Sequence, residues 1–262
     1  MQTSRTYSTV AKTQFRLRYL SLIRMFFADH SMDFNRELET HGGIISGSVA
    51  LLFLLSTTSS WQPNDMDIYI SQERYEPFLS RLEATCQVTY QPRERTGPKE
   101  DYPDVFISNV RQYSTPTGLR LDVIQSATTS PVTPLPNFWT SLVVNFLTPN
   151  AAVCGYPRDT LSHRGLVREG WMSISSMHAW DKYKARGFTF AVVSEWGTRA
   201  HDDPDVHFVP GNLLTIDFRN PSQTAPLTLP VQQLTDGWVA KHPSPPMSSG
   251  MQVPAALPSH FA

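Results

Sequence analysis

The stretch Asp65-Met66-Asp67-Ile68-Tyr69-Ile70 limits the possible folds of this chain more than any other. Apolar Met66, Ile68 and Ile70 alternate with Asp65, Asp67 and Tyr69, the two-residue period of a β-strand. Residues i and i+2 of a strand share a face, so both aspartates project to one side while Met66 and Ile68 project to the other. A second segment repeats the anomaly: Asp122 sits between Leu121 and Val123 in an otherwise apolar strand pattern. Desolvating an unpaired carboxylate is costly, so buried strands usually exclude it. Carboxylates side by side also raise one another's pKa unless a cation lies between them. If the two strands are neighbours, three carboxylates converge, and hard oxygen donors of this kind suit Mg²⁺ or Mn²⁺. Two such ions roughly 3.5–4 Å apart are the arrangement used in polymerase-type phosphoryl transfer.

A glycine-serine step precedes the first acidic strand. Gly47 and Ser48 fall between a short apolar strand (43–46) and an apolar helix (48–56). Glycine lets the backbone approach a ligand closely. A helix N-terminus offers free N–H groups and a favourable dipole to phosphate, and the Ser48 hydroxyl adds a donor or caps the helix. An anion site would then adjoin a metal site, the outline of a nucleoside triphosphate pocket.

Around these strands the pattern predicts helices over 14–29, with Leu17, Leu20, Ile23 and Phe27 on one stripe, and over 31–40, with Ser31 as cap. A helix follows the acidic strand, with Pro77 in its first turn, and leads to a strand at 87–90. Residues 91–103 read as a charged surface loop. Two strands joined by Thr115-Pro116-Thr117-Gly118 form a hairpin carrying Asp122. Helices are expected over 137–147 and over 175–187, the latter ended by Gly187. Strand-like pieces near 188–194 and 213–218 flank a polar loop. From Asn220 onward, proline recurs with few apolar clusters, the composition of a disordered tail. The fold class is therefore α+β, a mixed twisted sheet backed by helices. The division is a core over 1–130, a small helical or mixed C-terminal region over 131–219, and a tail over 220–262.

Gly47-Ser48, then Asp65-Met66-Asp67-Ile68, then Leu121-Asp122-Val123, resembles the signature of the DNA polymerase β-like nucleotidyltransferase superfamily, with matching helix–strand order over about residues 14–126. Ser46 stands where that family prefers an apolar residue, and sixteen residues separate Ser48 from Asp65. The resemblance implies a nucleotidyltransferase fold and transfer of a nucleoside monophosphate from a nucleoside triphosphate to a hydroxyl-bearing acceptor. Asp65 and Asp67 would bind both metal ions. Asp122 would complete the ion that activates the acceptor hydroxyl and act as its base. Gly47 and Ser48 would hold the β- and γ-phosphates. The acceptor is not legible: an RNA end, a small molecule and a protein side chain all remain open. The alternative is a catalytically inactive nucleotide- or protein-binding module on the same fold.

Other chemistry is weaker. Lys182 and Arg186 are four apart on one predicted helix face and would supply the positive charge a triphosphate needs if that helix folds over the site, the alternative being an ordinary solvated basic face; Lys184, Arg158 and Arg164 are lesser candidates. The segment 201–207, with His201, Asp202, Asp203, Asp205 and His207, reads as a solvated acidic loop. His163 and His178 are lone histidines with packing or surface roles. The Gly-x-Ser-x-Gly of a hydrolase elbow and the P-loop are absent.

With a net charge of -1 and no dense basic stripe, the chain does not advertise a long nucleic-acid track. The longest apolar run, Val49–Leu55, is too short to span a bilayer, so no membrane role is expected. Cys86 and Cys154, its two cysteines, lack metal or redox spacing, which fits a reducing compartment, cytoplasmic or nuclear. Residues 1–28 hold five basic residues and no acid before position 29, so a mitochondrial presequence is the alternative reading of a segment expected to be a helix of the domain.

Overall fold

Two strands far apart in the chain pair in parallel, and this pairing organises the molecule. The computed structural model describes residues 2–55, 60–92, 106–168, 174–193 and 213–219. Helices α1 (Gln2–Phe27) and α2 (Ser31–Thr40) lead to β1 (Ile44–Ser46), α3 (Gly47–Leu55), β2 (Asp65–Ile70), α4 (Tyr75–Thr85) and β3 (Thr89–Gln91). The hairpin β4 (Ile107–Ser114) and β5 (Arg120–Ser126) follows, then β6 (Asn145–Leu147), β7 (Ala151–Cys154), α5 (Pro157–Leu161), β8 (Arg164–Arg168), α6 (Ile174–Ala185), β9 (Thr189–Val193) and β10 (Leu214–Asp217). Among the described residues, eight strands form one sheet in the order β10-β7-β6-β1-β2-β5-β4-β3. Only β2 and β5 run parallel in it; the other neighbours are antiparallel. Strands β8 and β9 pair in parallel as a separate small sheet. The class is therefore α+β with a mixed sheet backed by helices.

The alternation of β2 divides the core in two. Ile45, Met66, Ile68, Ile70, Leu121 and Val123 face the side where α1, α2 and α4 bury Tyr19, Ile23, Phe26, Phe27, Phe34, Leu38 and Phe78. Tyr69, Ile44 and Ile124 face the other side, against Leu135, Phe138, Leu142, Leu166, Tyr183 and Phe188. Chain from beyond β5 thus covers part of the face that carries the aspartates. β6, β7 and β10 extend the same sheet as the N-terminal strands.

Three local expectations are corrected. The buried stripe of α1 is Tyr19, Leu22, Ile23, Phe26 and Phe27, whereas Leu17 is 56% exposed; an i, i+3, i+4 face drawn through Ile23 and Phe27 takes in Tyr19 rather than Leu17. Ser31 is the first residue of α2 and His30 precedes it without a side-chain cap. No helix spans 137–147: two 3₁₀ turns, Leu135–Asn137 and Ser141–Val143, precede β6. Local side-chain bonds compete with helix there. The Thr140 hydroxyl accepts from the Leu142 N–H, and the Asn145 amide donates to the Leu142 carbonyl at 2.7 Å while its oxygen accepts from the Gly155 N–H. Strands β7 and β8 and helix α5 had no counterpart in the sequence reading. The acidic segment 201–207, most of the loop 91–103 and the tail 220–262 lie outside the described residues. Among the described residues no helix is long and apolar enough to cross a membrane.

Candidate functional site

The strand register brings the three carboxylates together. In the parallel pair β2–β5, Asp67 stands opposite Asp122 and Asp65 opposite Arg120. On the other side of β2, Asp67 is opposite Ser46, the last residue of β1. Strand alternation sends Asp65 and Asp67 to one face, as Met66 and Ile68 are fully buried on the opposite one. The guanidinium of Arg120 marks the convergence: a single nitrogen, Nη2, lies 2.8 Å from Asp65 Oδ2 and 3.3 Å from Asp122 Oδ2.

Asp67 feels this crowding. Its pKa is pushed up to about 7, first by burial and then by the neighbouring charges of Asp65 and Asp122, with Arg120 and Lys182 pulling partly against them. A carboxylate in such a position gains from any added positive charge.

Gly47 is bound to this strand geometry in two ways. Its φ of +63° is open to glycine and strained for other residues. A Cβ built there would run into the Asp67 carboxylate. The close approach that the glycine permits is therefore to Asp67. Ser48, on the first turn of α3, donates its hydroxyl to Asp65 Oδ1 at 3.2 Å. Both members of the Gly-Ser step thus touch the aspartates.

Positive charge reaches the cluster from two elements. Arg120, two residues before Asp122 on β5, is half exposed and holds Asp65 and Asp122. Lys182 of α6 places its ammonium 3.7 Å from Asp65 Oδ1. Arg186, just beyond α6, has its guanidinium 4.1 Å from the centre of the Trp61 ring and 5.3 Å from that of Tyr183. Burial lowers its pKa, while Tyr183 and Asp65 act to raise it. The stack on Trp61 fixes the end of α6 against the loop that enters β2. Gln112, opposite Asp122 on β4, donates its amide to Asp122 Oδ1 at 2.9 Å.

Sequence reasoning missed Arg120, Gln112 and Trp61. For Arg120 the signal was present, because positions 120 and 122 share a strand face. Gln112 depends on the β4–β5 register and Trp61 on the docking of α6, neither of which a local pattern encodes. The remaining candidates do not join the cluster through any contact described. Arg164 pairs with Asp159 at 3.4 Å, Lys184 stands over the Trp180 ring, His163 packs on Phe188, and His178 is exposed on α6.

The donor chemistry of Asp65, Asp67 and Asp122 suits a hard divalent cation, with three carboxylates on adjacent strands and one of them short of compensating charge. As the side chains stand, no group of three or more His, Cys, Asp or Glu among the described residues is arranged to hold a metal ion. Arg120 instead sits between two of the three. The residues fit the ion in kind but not in their present arrangement.

No protein-family model, curated protein or solved structure matches this chain.

Proposed function

We propose that the chain is a metal-dependent nucleotidyltransferase of the polymerase β-like fold, transferring a nucleoside monophosphate from a nucleoside triphosphate to a hydroxyl-bearing acceptor. The observation that carries this reading is the register of Asp67 against Asp122 across parallel strands, with Asp65 beside them and Gly47-Ser48 at their edge. Asp65, Asp67 and Asp122 would hold Mg²⁺ or Mn²⁺, which when bound supplies Lewis-acid stabilisation of phosphate charge and an activated hydroxyl. Gln112 orients the Asp122 carboxylate by holding one of its oxygens while Arg120 lies beside the other, and Asp122 would act as base toward the acceptor hydroxyl. The first N–H groups of α3 and the Ser48 hydroxyl face the phosphates. Lys182, with Arg186 behind it, offsets the charge of the departing pyrophosphate.

Labelled nucleoside triphosphates incubated with the purified protein, Mg²⁺ or Mn²⁺, and acceptors of three kinds (RNA ends, small hydroxyl or amino compounds, proteins) test the proposal. Label should transfer with the wild type and fall about a hundredfold or more with Asp67→Ala. Equal transfer by both proteins would place the activity elsewhere.

A second reading, a non-catalytic nucleotide- or protein-binding module, is favoured by the ion pairs of Arg120 and Lys182, which already satisfy much of the acidic charge. It predicts nucleotide binding in calorimetry without turnover, or no binding at all.

A further inference from the structure

We infer that Arg186 and Lys182 form a receptor for a diphosphate group, free or at the end of a nucleotide, that works without a divalent ion. The inference rests on the nucleotidyltransferase reading only in taking the anion to be a phosphate, and adds that the chain's own cations hold it directly.

Arg186 is held by its face and left open at its edge. Its guanidinium lies 4.1 Å from the centre of the Trp61 ring and 5.3 Å from that of Tyr183, so aromatic rings meet the charge. Its Nη1 is buried and has no hydrogen-bond partner. A buried N–H without an acceptor is costly. A lysine so placed could shed its proton, but an arginine stays charged at any ordinary pH, so the cost persists until an acceptor arrives. The lowering of its pKa by burial is the same cost seen in its titration.

Lys182 lies four residues earlier, in the last turn of α6. Its ammonium is 3.7 Å from Asp65 Oδ1, beyond hydrogen-bond reach, so it keeps donors to offer. A group with two charged phosphoryl centres answers both cations at once. Its oxygens match the in-plane N–H fork of the guanidinium, the edge that stacking leaves free, and accept charge-assisted hydrogen bonds from it. Asp65 and Asp122 are already paired with Arg120, so the anion is not set against bare carboxylates. Lys182 is 40% exposed and Arg186 is half-buried, which lets the anion reach the pair from solvent. A turn of the guanidinium within the plane of its stack brings Nη1 to the anion and keeps the contact with Trp61. Because both cations belong to the chain, binding needs no added metal.

Calorimetry on the full chain in chelator, with pyrophosphate, inorganic phosphate and a non-hydrolysable nucleoside triphosphate, tests the receptor without requiring turnover. Wild type should bind pyrophosphate, and should bind inorganic phosphate about tenfold more weakly. Arg186→Gln and Lys182→Gln should each weaken pyrophosphate binding about tenfold. Triphosphate affinity no higher than that of pyrophosphate identifies the free anion as ligand. Higher affinity, lost in the same two variants, identifies the end of a nucleotide. Thermal melting gives a second readout: pyrophosphate in chelator should raise the melting temperature of wild type and not that of Arg186→Gln. Lys182 is near the surface, so Lys182→Gln keeps the test decisive if Arg186→Gln fails to fold. No pyrophosphate binding in chelator, or binding unchanged in both variants, would overturn the receptor and leave the nucleotidyltransferase reading standing. Metal-free binding that is lost in the variants, with no label transfer to any acceptor, would keep the receptor and remove the enzymatic reading.

Discussion

The two faces of the central sheet differ in what their side chains gain from being together. On one face, Met66, Ile68, Leu121 and Val123 are wholly buried under α1, α2 and α4, and every neighbour strengthens the others by excluding water. On the other, at the same strand positions shifted by one residue, Asp65, Asp67 and Asp122 gather charge of one sign, and burial with the charges of Asp65 and Asp122 makes Asp67 harder to ionise. The same two strands thus hold a stabilising core and a region under electrostatic strain. A fold tolerates such strain where function uses it and the surrounding packing sets the geometry regardless.

Substitutions on the two faces should therefore move stability in opposite directions. The largest effect is expected on the apolar face. Phe34→Ala removes a fully buried ring stacked on Phe27 at 3.9 Å and should cost about 3–5 kcal/mol in denaturant unfolding. A loss below about 1 kcal/mol would mean that this face is not the main core.

At the junction of strand and helix, Gly47→Ala should cost about 1–3 kcal/mol, part from the positive φ and part from the collision with Asp67. A double-mutant cycle separates the two contributions: in an Asp67→Ala background the collision disappears and only the backbone part remains. Purely additive costs would show that Gly47 and Asp67 are not coupled.

Asp67→Asn should do the reverse of a core deletion and stabilise the metal-free protein. The carboxyl holds its proton more tightly in the folded state, with a pKa of about 7, than in the unfolded chain. Its contribution is therefore fully present below the ordinary aspartate pKa and is lost as pH rises through about 7. Thermal or urea unfolding at pH 8 should favour Asp67→Asn by on the order of 1–2 kcal/mol, with the gain vanishing near pH 4. A destabilised Asn variant at pH 8 would show that the charge is well compensated.

The smallest effect concerns the edge where α1 meets the sheet. Lys12 pairs with Asp217 at 3.0 Å, and Asp217 is also held by Arg219. The hydrogen bonds of Arg219, followed by those of Lys12, keep the Asp217 pKa well below its usual value, so this stabilisation is present at neutral pH and is lost on strong acidification. Lys12→Met should cost less than about 1 kcal/mol, and the difference should shrink in high salt.

Much of the apolar face was legible because its signals are local. The period of two in β2 and the Thr115–Gly118 turn of the hairpin each state a backbone preference within a few residues. The 3₁₀ turns before β6 were not legible. The composition of 137–147 suits a buried helix, and what prevents one is a set of side-chain bonds from Thr140 and Asn145 that exists only in the folded chain. The candidate site divides along the same line. That Asp65 and Asp67 share a face follows from strand geometry alone, and Arg120 could have been added by the same rule. That Asp122 stands opposite Asp67, that Gln112 reaches Asp122, and that Trp61 receives Arg186 are facts of register and docking.

The parallel pairing of β2 with β5 also fixes an order of events during synthesis and folding. Arg120 and Asp65 are 55 residues apart, separated by α4 and the β3–β4 segment, and contacts between such distant positions form slowly. A nascent chain that has closed β1 against β2 holds two aspartates with no cation from the sheet to answer them. Arg120 and Asp122 then dock on the same strand, so the third negative charge arrives together with its own neutraliser. Lys182 follows only after the later segments have emerged, and a chain halted before α6 would assemble the acids without the basic helix that faces them.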